Sequence, residues 1–161
     1  MGTSPEAHEK PAEQVEVLQA LTRVLAGVAL RSMDTLHGAV TLPQYRMLSV
    51  LAEDAPARSS AVARALGLDA SSVTRLADRL VAAGYVTRGS DPGHRSVVTL
   101  QLTPGGKQLV NRVQGWRQAE LTRILSRLTP RDRTLVTTTL RQVVNAAGEG
   151  YGLALGPPLP L

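Results

Sequence analysis

The stretch from Ala61 to Leu102 constrains the fold of this chain more than any other. It begins with two short amphipathic segments that meet at Gly67, a residue that tolerates the left-handed backbone found at helix C-termini. Asp69 follows at a position where its carboxylate can cap the second helix by accepting hydrogen bonds from first-turn N–H groups. Two helices joined by a tight, glycine-containing turn predict a helix-turn-helix.

The second helix of this pair has an apolar face and a polar face. Apolar residues recur at i, i+3, i+4 and i+7, and this spacing predicts that they point inward. They are Val73, Leu76, Ala77 and Leu80. The opposite face begins with small residues and continues with Arg75. Such a helix can enter the major groove of DNA, where Ser, Thr and Arg reach base edges or phosphates. The same face can also be the ordinary solvated surface of a three-helix domain.

A hairpin is predicted after this helix. Gly84 ends the helix, residues 85–88 read as a short strand, and residues 89–94 are turn formers. From Arg95 to Leu102 the residues alternate, which predicts a strand with one inward face. That face consists of Val98, Leu100 and Leu102, and the other of Val97, Thr99 and Gln101. A helix-turn-helix followed by a hairpin is a winged helix. Its basic tip suits an adjacent minor groove or its phosphates.

Three motifs in this region resemble the multiple antibiotic resistance regulator (MarR) family. They are SSVTRLADRLVAAGYV (residues 71–86), DPGHRS (91–96) and LTPGGKQL (102–109), within a resemblance that covers roughly residues 42–110. The resemblance implies a homodimeric winged helix-turn-helix transcription factor, usually a repressor that a small ligand releases from DNA.

One position departs from the family pattern. The family usually has an Asp two residues before the wing arginine, which is Arg95 here, and Gly93 stands there instead. Asp91 lies further upstream. Either Asp91 holds Arg95 from a shortened loop, or Arg95 is less firmly held.

Charge is unevenly distributed along the chain. The 161 residues carry 18 Lys and Arg against 13 Asp and Glu, which gives a net charge of +5. Up to Ala57 there are four basic and seven acidic residues, so the later residues carry a net +8. Nearly all of this positive charge is arginine, which can contact guanine or phosphate with two hydrogen bonds. The distribution favours a polyanionic partner for the winged helix and the helices after it.

Several functional classes find no support in the sequence. There is no cysteine, hence no disulfide, thiol switch or thiolate metal site. The first residues lack a signal-peptide pattern, and no apolar run approaches the ~20 residues of a membrane span, so we expect a soluble, cytoplasmic protein. Three scattered histidines and the lack of any catalytic motif predict that it is not an enzyme. We expect no cofactor and no metal.

The domain organisation follows from helix start signals. Thr103 with Pro104, and Thr129 with Pro130, each pair an N-cap residue with proline at the first helical position. The first of these helices is predicted to continue to about Leu128. The predicted units are an arm (1–12), an N-terminal dimerisation helix (13–38), the winged helix-turn-helix (42–102), C-terminal dimerisation helices (103–148) and a flexible tail (149–161). The fold class is thus mainly α with a small β-hairpin. Because so many long helices cannot all pack on one small winged helix, we predict a two-fold dimer.

The interpretation assigns residues to the DNA contact. Ser71, Ser72, Thr74 and Arg75 are expected to read bases or position the helix, and most other residues are expected to touch phosphate. The full predicted set is Arg58, Arg64, Ala70, Ser71, Ser72, Thr74, Arg75, Arg79, Arg88, His94 and Arg95. The partner is double-stranded DNA, an inverted repeat with half-sites about one turn, roughly 10 bp, apart. A winged helix can instead be a protein–protein module, which is the alternative function.

A small aromatic or anionic effector is a further hypothesis. It would bind where the dimer helices meet the winged helix and change the spacing of the two recognition helices. Candidate lining residues are Met33, His37, Tyr45, Arg46 and Trp116. Tyr45 and Trp116 can equally be core aromatics.

Overall fold

The computed structural model describes residues 11–53, 55–94 and 96–147. In these residues the elements are α1 (Pro11–Asp34), α2 (Leu42–Glu53), β1 (Ala57–Arg58), α3 (Ser59–Leu66), α4 (Ala70–Ala82), β2 (Val86–Ser90), β3 (Val98–Leu102), α5 (Pro104–Leu125) and α6 (Pro130–Ala147). Helices α3 and α4 form the helix-turn-helix, and β2 and β3 form the wing. The predicted mainly helical winged-helix fold is confirmed.

The signals that begin and end the central helices act as expected. Gly67 adopts φ +66° after α3, the left-handed conformation that glycine tolerates. Asp69 precedes α4 with an extended backbone, and its side chain accepts a hydrogen bond from the Ser72 amide. Thr103 does the same before α5 for the Gly106 amide. These caps satisfy N–H groups that have no partner within their own helices, so the predicted caps of α4 and α5 are confirmed.

Three predicted helix limits are wrong. The first helix starts at Pro11 and ends at Asp34 instead of reaching Gly38. His37 and Gly38 both have positive φ, 48° and 76°, which stops a right-handed helix. The long helix after the wing ends at Leu125, three residues earlier than predicted.

The wing belongs to a three-stranded antiparallel sheet with the order β1-β3-β2. Strand β2 continues through Ser90, beyond the predicted end at residue 88, while β3 begins only at Val98. Strand β1 was not predicted, because two residues are too short to show an alternating pattern. It pairs Ala57 with Leu100. It also places Arg58, a predicted DNA-contact residue, in a strand.

The predicted alternation along β3 holds only near the core. Leu100 and Leu102 are buried as predicted. Val98 is 46% exposed, so its predicted inward position is wrong. It pairs with Ser90 at the far end of the hairpin, away from the buried pair. Thr99, predicted on the outer face, is buried and lies between Arg58 of β1 and Gly89 of β2.

The hydrophobic core lies beneath the helix-turn-helix. It joins α2, α3, α4, the sheet and the first half of α5, and it is built mainly of aliphatic side chains around Tyr45. The largest fully buried members are Tyr45, Leu36, Met47, Leu48, Leu51, Leu80, Leu100, Val62, Val73, Val86, Val110 and Val113. This core fixes one face of α4 and leaves the other outward.

The outer helices are packed differently. Helix α6 has no buried residue. On α1, Val17 and Leu30 are more than 60% exposed, although α1 does contact α5. Both helices therefore present apolar side chains that the protomer itself does not cover. Among the described residues, no helix is both long and apolar enough to cross a membrane.

Candidate nucleic-acid interface

The start of α4 is fixed by the carboxylate of Asp69. Its Oδ1 accepts hydrogen bonds from the Ser72 amide at 2.8 Å and the Ser71 hydroxyl at 2.6 Å. Its Oδ2 accepts one from the Ser72 hydroxyl at 2.7 Å. The Ser71 and Ser72 hydroxyls, together with the Ser72 amide, hold the pKa of the Asp69 carboxyl far below its usual range. The first turn of α4 is thus a well-ordered, charged structure at neutral pH.

The hydroxyl groups on this face already donate within the helix. The Thr74 hydroxyl donates to the Ala70 carbonyl at 2.9 Å. A terminal nitrogen of Arg75 donates to the Ser72 hydroxyl at 3.0 Å. Because their hydrogens are already donated, the hydroxyls of Ser71, Ser72 and Thr74 can act towards a partner only as hydrogen-bond acceptors. The Arg75 guanidinium supplies donors, of which it has five.

The outward face of α4 is exposed as predicted. Ala70, Ser71, Thr74, Arg75 and Arg79 are all exposed, and Ser72 is half-buried. Among the described residues, the ion pairs involve neither Arg75 nor Arg79, nor Arg64 on α3. Helices α3 and α4 therefore carry three arginines whose charge is not neutralised by a described carboxylate.

Two other predicted contact residues are already paired with carboxylates. Arg88 on β2 lies 2.7 Å from Asp78 Oδ1 of α4. Arg58 on β1 lies 2.8 Å from Asp91 Oδ2, beyond the end of β2. The sequence analysis did not foresee either pair. Both join segments that are distant in the sequence, and no local pattern signals them.

A groove separates the wing from α4. It has a volume of about 240 Å³ and is lined by Ser59, Val73, Thr74, Ala77, Arg88 and Val98. At the tip of the wing, His94 is exposed, and its amide donates to the Asp91 carbonyl at 3.1 Å. Arg95 lies outside the described residues, so its predicted contact with Asp91 or DNA stays a prediction.

The candidate effector residues occupy different environments. Tyr45 is fully buried in the core, and Met33 packs partly buried against it. Arg46 and Trp116 are half-buried, whereas His37 is exposed in the turn after α1. None of these five residues lines the groove of about 650 Å³ between the end of α2 and α5.

The sequence analysis missed Arg117 at this junction. Its guanidinium lies over the Tyr45 ring, 5.3 Å from the centroid, and its Nε donates to the buried Ser32 hydroxyl at 2.8 Å. Arg117 thereby connects α1, α2 and α5. The hydroxyls of Tyr45 and Ser49 are buried without a hydrogen-bond partner among the described residues. The only signal for Arg117 in the sequence was its position on α5, directly after the candidate residue Trp116.

Comparisons with known proteins agree with this geometry. A model of the MarR family matches residues 40–95. The structure of RV1404 from Mycobacterium tuberculosis is similar over 92% of this chain and 100% of that one, with 27% identity and a TM-score of 0.81. Residues 40–95 are therefore similar to the MarR family, and the chain has the fold of the RV1404 structure.

Two curated relatives match shorter parts of the chain. The regulator YhjH of Bacillus subtilis is 26% identical over 70% of this chain and 66% of its own length. The putative transcriptional regulatory protein for the hcr operon of Thauera aromatica is 33% identical over 52% of this chain and 50% of its own length. The chain thus spans about two thirds and one half of these relatives.

A DNA-bound structure shares the same fold. Streptococcus pneumoniae FabT in complex with DNA is 18% identical over 84% of this chain and 98% of that one, with a TM-score of 0.72. At this identity the likeness concerns the fold alone.

Proposed function

We propose that this chain is a MarR-type, homodimeric, sequence-specific DNA-binding repressor that a small aromatic or anionic ligand releases from its operator. The observation that carries the proposal is the outward face of α4, where Arg75 and Arg79 stand free of ion pairs to the described carboxylates. A protein-docking helix would more often present large apolar side chains there.

In the proposed complex, α4 of each subunit enters a major groove with its N-terminal half. The Arg75 guanidinium donates to base acceptors, and the hydroxyls of Ser71, Ser72 and Thr74 accept hydrogen bonds or position the helix. Arg64 and Arg79 contact phosphate on either side, which orients the helix without reading sequence. The wing, with His94 and Arg95, lies at the adjacent minor groove. FabT, which has this fold, was solved in complex with DNA, and this supports the docking of the winged helix on a duplex.

The dimer is proposed from the uncovered apolar faces. Helix α6 has no buried residue, and Leu135 on it is 64% exposed. An isolated helix of this kind gains little from intrinsic propensity, because most helical stability in proteins comes from packing an apolar face. A second copy that covers α1 and α6 satisfies both faces at once and fixes the distance between two α4 helices.

The effector is proposed to act at the junction of α1, α2 and α5. Two buried hydroxyls there, of Tyr45 and Ser49, lack partners among the described residues, and the cationic Arg117 lies over the Tyr45 ring. A phenolic acid could satisfy such hydroxyls and pair with a guanidinium. It would release DNA only if it bound more tightly to the state whose α4 spacing does not fit the operator.

The test of DNA reading is Arg75→Ala. Duplexes selected from genomic fragments by the wild-type protein serve as the preferred sites, with random duplexes of equal length beside them. We expect a loss of ~1–3 kcal/mol on the preferred duplex, because a base contact disappears, and a smaller loss on random DNA. Arg141→Ala on α6 removes the same charge far from α4 in sequence and is the control.

Two outcomes would change the proposal. An equal loss on preferred and random duplexes would make Arg75 a phosphate contact. If the wild-type protein shows no salt-dependent binding to any duplex, the protein–protein module is the better account. The effector is tested with a panel of phenolic acids that compete for release of the preferred duplex. An identical response of Arg46→Ala and wild type across the panel would remove Arg46 from that site.

A further inference from the structure

An ion pair joins the turn of the wing to β1, in addition to the backbone pairing of β1 with β3. Arg58 is the last residue of β1, opposite Thr99 of β3. Its Nε donates to Asp91 Oδ2 at 2.8 Å, and a terminal nitrogen lies 2.8 Å from the same oxygen. Arg58 thus directs two nitrogens at a carboxylate 33 residues away in the sequence.

Asp91 is also held by its own loop. Its Oδ1 accepts a hydrogen bond from the Gly93 amide at 2.9 Å. Its backbone closes the hairpin, because the Asp91 amide donates to the Val97 carbonyl at 3.0 Å and the His94 amide donates to the Asp91 carbonyl at 3.1 Å. The Asp91 side chain is only 16% exposed, against 54% for Arg58. One carboxylate therefore connects the turn of the wing to a strand outside the hairpin.

We propose that Arg58 and Asp91 form a positioning pair for the wing, in which Arg58 supports DNA binding through Asp91 and not by touching phosphate. The inference rests on the proposed DNA-binding function. It assigns Asp91 a role in orienting the wing tip that carries His94. It also removes Arg58 from the set of direct phosphate contacts.

Neutralising Asp91 tests the inference, because the two possible roles of its carboxylate predict opposite changes in DNA affinity. A carboxylate beside DNA repels the phosphates, so neutralising a mere surface carboxylate there should strengthen binding. A positioning carboxylate predicts the opposite, because the turn of the wing loses its side-chain contact with Arg58, while the backbone pairing of β1 with β3 remains. The Gly93 amide and the Arg58 guanidinium lower the pKa of the Asp91 carboxyl, so the pair is charged at neutral pH.

The size of the effect is expected to be modest. Exposed ion pairs usually contribute little, since two flexible side chains must be ordered in water. Here the carboxylate is already ordered by a backbone amide and shielded from solvent, which reduces that cost. We therefore expect each single variant to weaken binding about three- to tenfold, the range of one ordinary hydrogen bond.

The experiment is a double-mutant cycle on the full chain. Affinity for the preferred duplex is measured for wild type, Arg58→Gln, Asp91→Asn and the double variant over a series of salt concentrations. We expect both single variants to bind more weakly, the double variant to bind no more weakly than either, and the salt slope to stay unchanged. Glu53→Gln, which neutralises an exposed acid at the end of α2, is the charge-matched control and should leave the affinity unchanged.

A second readout separates wing positioning from a general effect on folding. The same four proteins are titrated with duplexes shortened at both ends, so that the base pairs beneath the wings are missing. The differences between variants should disappear on the short duplex, because the wings then have nothing to contact. Differences that persist on the short duplex would overturn the inference.

Each remaining outcome has a distinct meaning. Tighter binding by Asp91→Asn, together with a salt slope that falls by about one in Arg58→Gln, would make Arg58 a direct phosphate contact and overturn the inference. Lower thermal stability with unchanged affinity would give the pair a purely structural role and also overturn it. Failure of the wild type to bind any duplex would refute the proposed function itself.

Discussion

The winged-helix core and the terminal helices use the same kinds of apolar residues with opposite results. In the core, Tyr45, Leu48 and Leu80 are completely buried within one protomer. On the terminal helices, Val17 of α1 and Leu135 of α6 are each 64% exposed. The winged-helix unit therefore buries its apolar core within one chain, whereas the outer helices leave apolar side chains exposed in the protomer, as surfaces that bind a partner do.

Helix α5 belongs to both regions. Its first half contributes Leu109, Val110 and Val113 to the core, while Leu121 and Leu125 in its second half are more than a third exposed. A continuous helix of 22 residues therefore joins the self-sufficient unit to the incomplete one. In the proposed dimer, α5 is the connection through which a second copy on the outer helices would fix the position of α4.

The largest effect is expected when a charge is introduced on the apolar face of α6. Val136, Leu140 and Val143 recur at i, i+4 and i+7 and define that face. Val143→Asp should dissociate the proposed dimer and abolish tight binding to a two-site duplex, because an unpaired carboxylate would be buried in the interface. Sedimentation velocity at micromolar concentration measures the dissociation.

Asn145→Asp provides the matched control. It introduces the same charge two residues away, on the opposite face of α6 by helical spacing. The control should remain dimeric. If both variants behaved like wild type, the apolar face of α6 would not be an interface, and the outer helices would be complete without a partner.

The self-sufficiency of the core is tested at Gly106. This buried glycine at the start of α5 lies against the turn between α4 and β2, and an added Cβ would overlap the Tyr85 carbonyl oxygen. Gly106→Ala should destabilise the fold by ~1–3 kcal/mol, as overpacking of a core does. The midpoint of urea unfolding at fixed protein concentration measures the change.

At Gly115 on the same helix, alanine is not expected to lower the free energy of unfolding. A Cβ there meets nothing within 4 Å. Gly115→Ala should therefore leave the protein unchanged or stabilise it by ~0.5–1 kcal/mol through helix propensity. Equal stability of the two alanine variants would show that α5 is not tightly packed against the wing.

The smallest loss of stability is expected at the connection between the two regions. Arg117→Met removes a hydrogen bond from a charged group to Ser32 and a cation–π contact with Tyr45, while it keeps most of the aliphatic stem. We expect a loss of ~1–2 kcal/mol in unfolding free energy. Arg112→Met, an exposed arginine on the same helix, is the control. Equal urea midpoints for Arg117→Met and Arg112→Met would mean that the contacts of Arg117 do not stabilise the packing of α1, α2 and α5.

Local chemistry made much of the winged helix predictable. The left-handed Gly67, the Asp69 cap and the Thr103 cap each act within a few residues, so the sequence alone indicated them correctly. The inward face of α4 was equally predictable, because Val73, Ala77 and Leu80 repeat with the period of a helix.

Features that depend on distant residues were not predictable. Strand β1 is two residues long and forms only because Leu100 and Thr99 lie beside it. The pairing of Arg58 with Asp91 spans 33 residues, so a sequence reading assigns Arg58 to phosphate by its charge alone. Val98 followed an alternating pattern, but its place at the end of the hairpin left it exposed.

The most direct test of the account is the dependence of affinity on the spacing of two half-sites. The proposed dimer holds two copies of α4 at a fixed separation. The affinity of the full chain should therefore peak when the half-site centres are about 10 bp apart. It should fall steeply when ~5 bp are inserted, because the second site then faces the opposite side of the duplex. Affinity that stays the same across the spacing series would contradict the account.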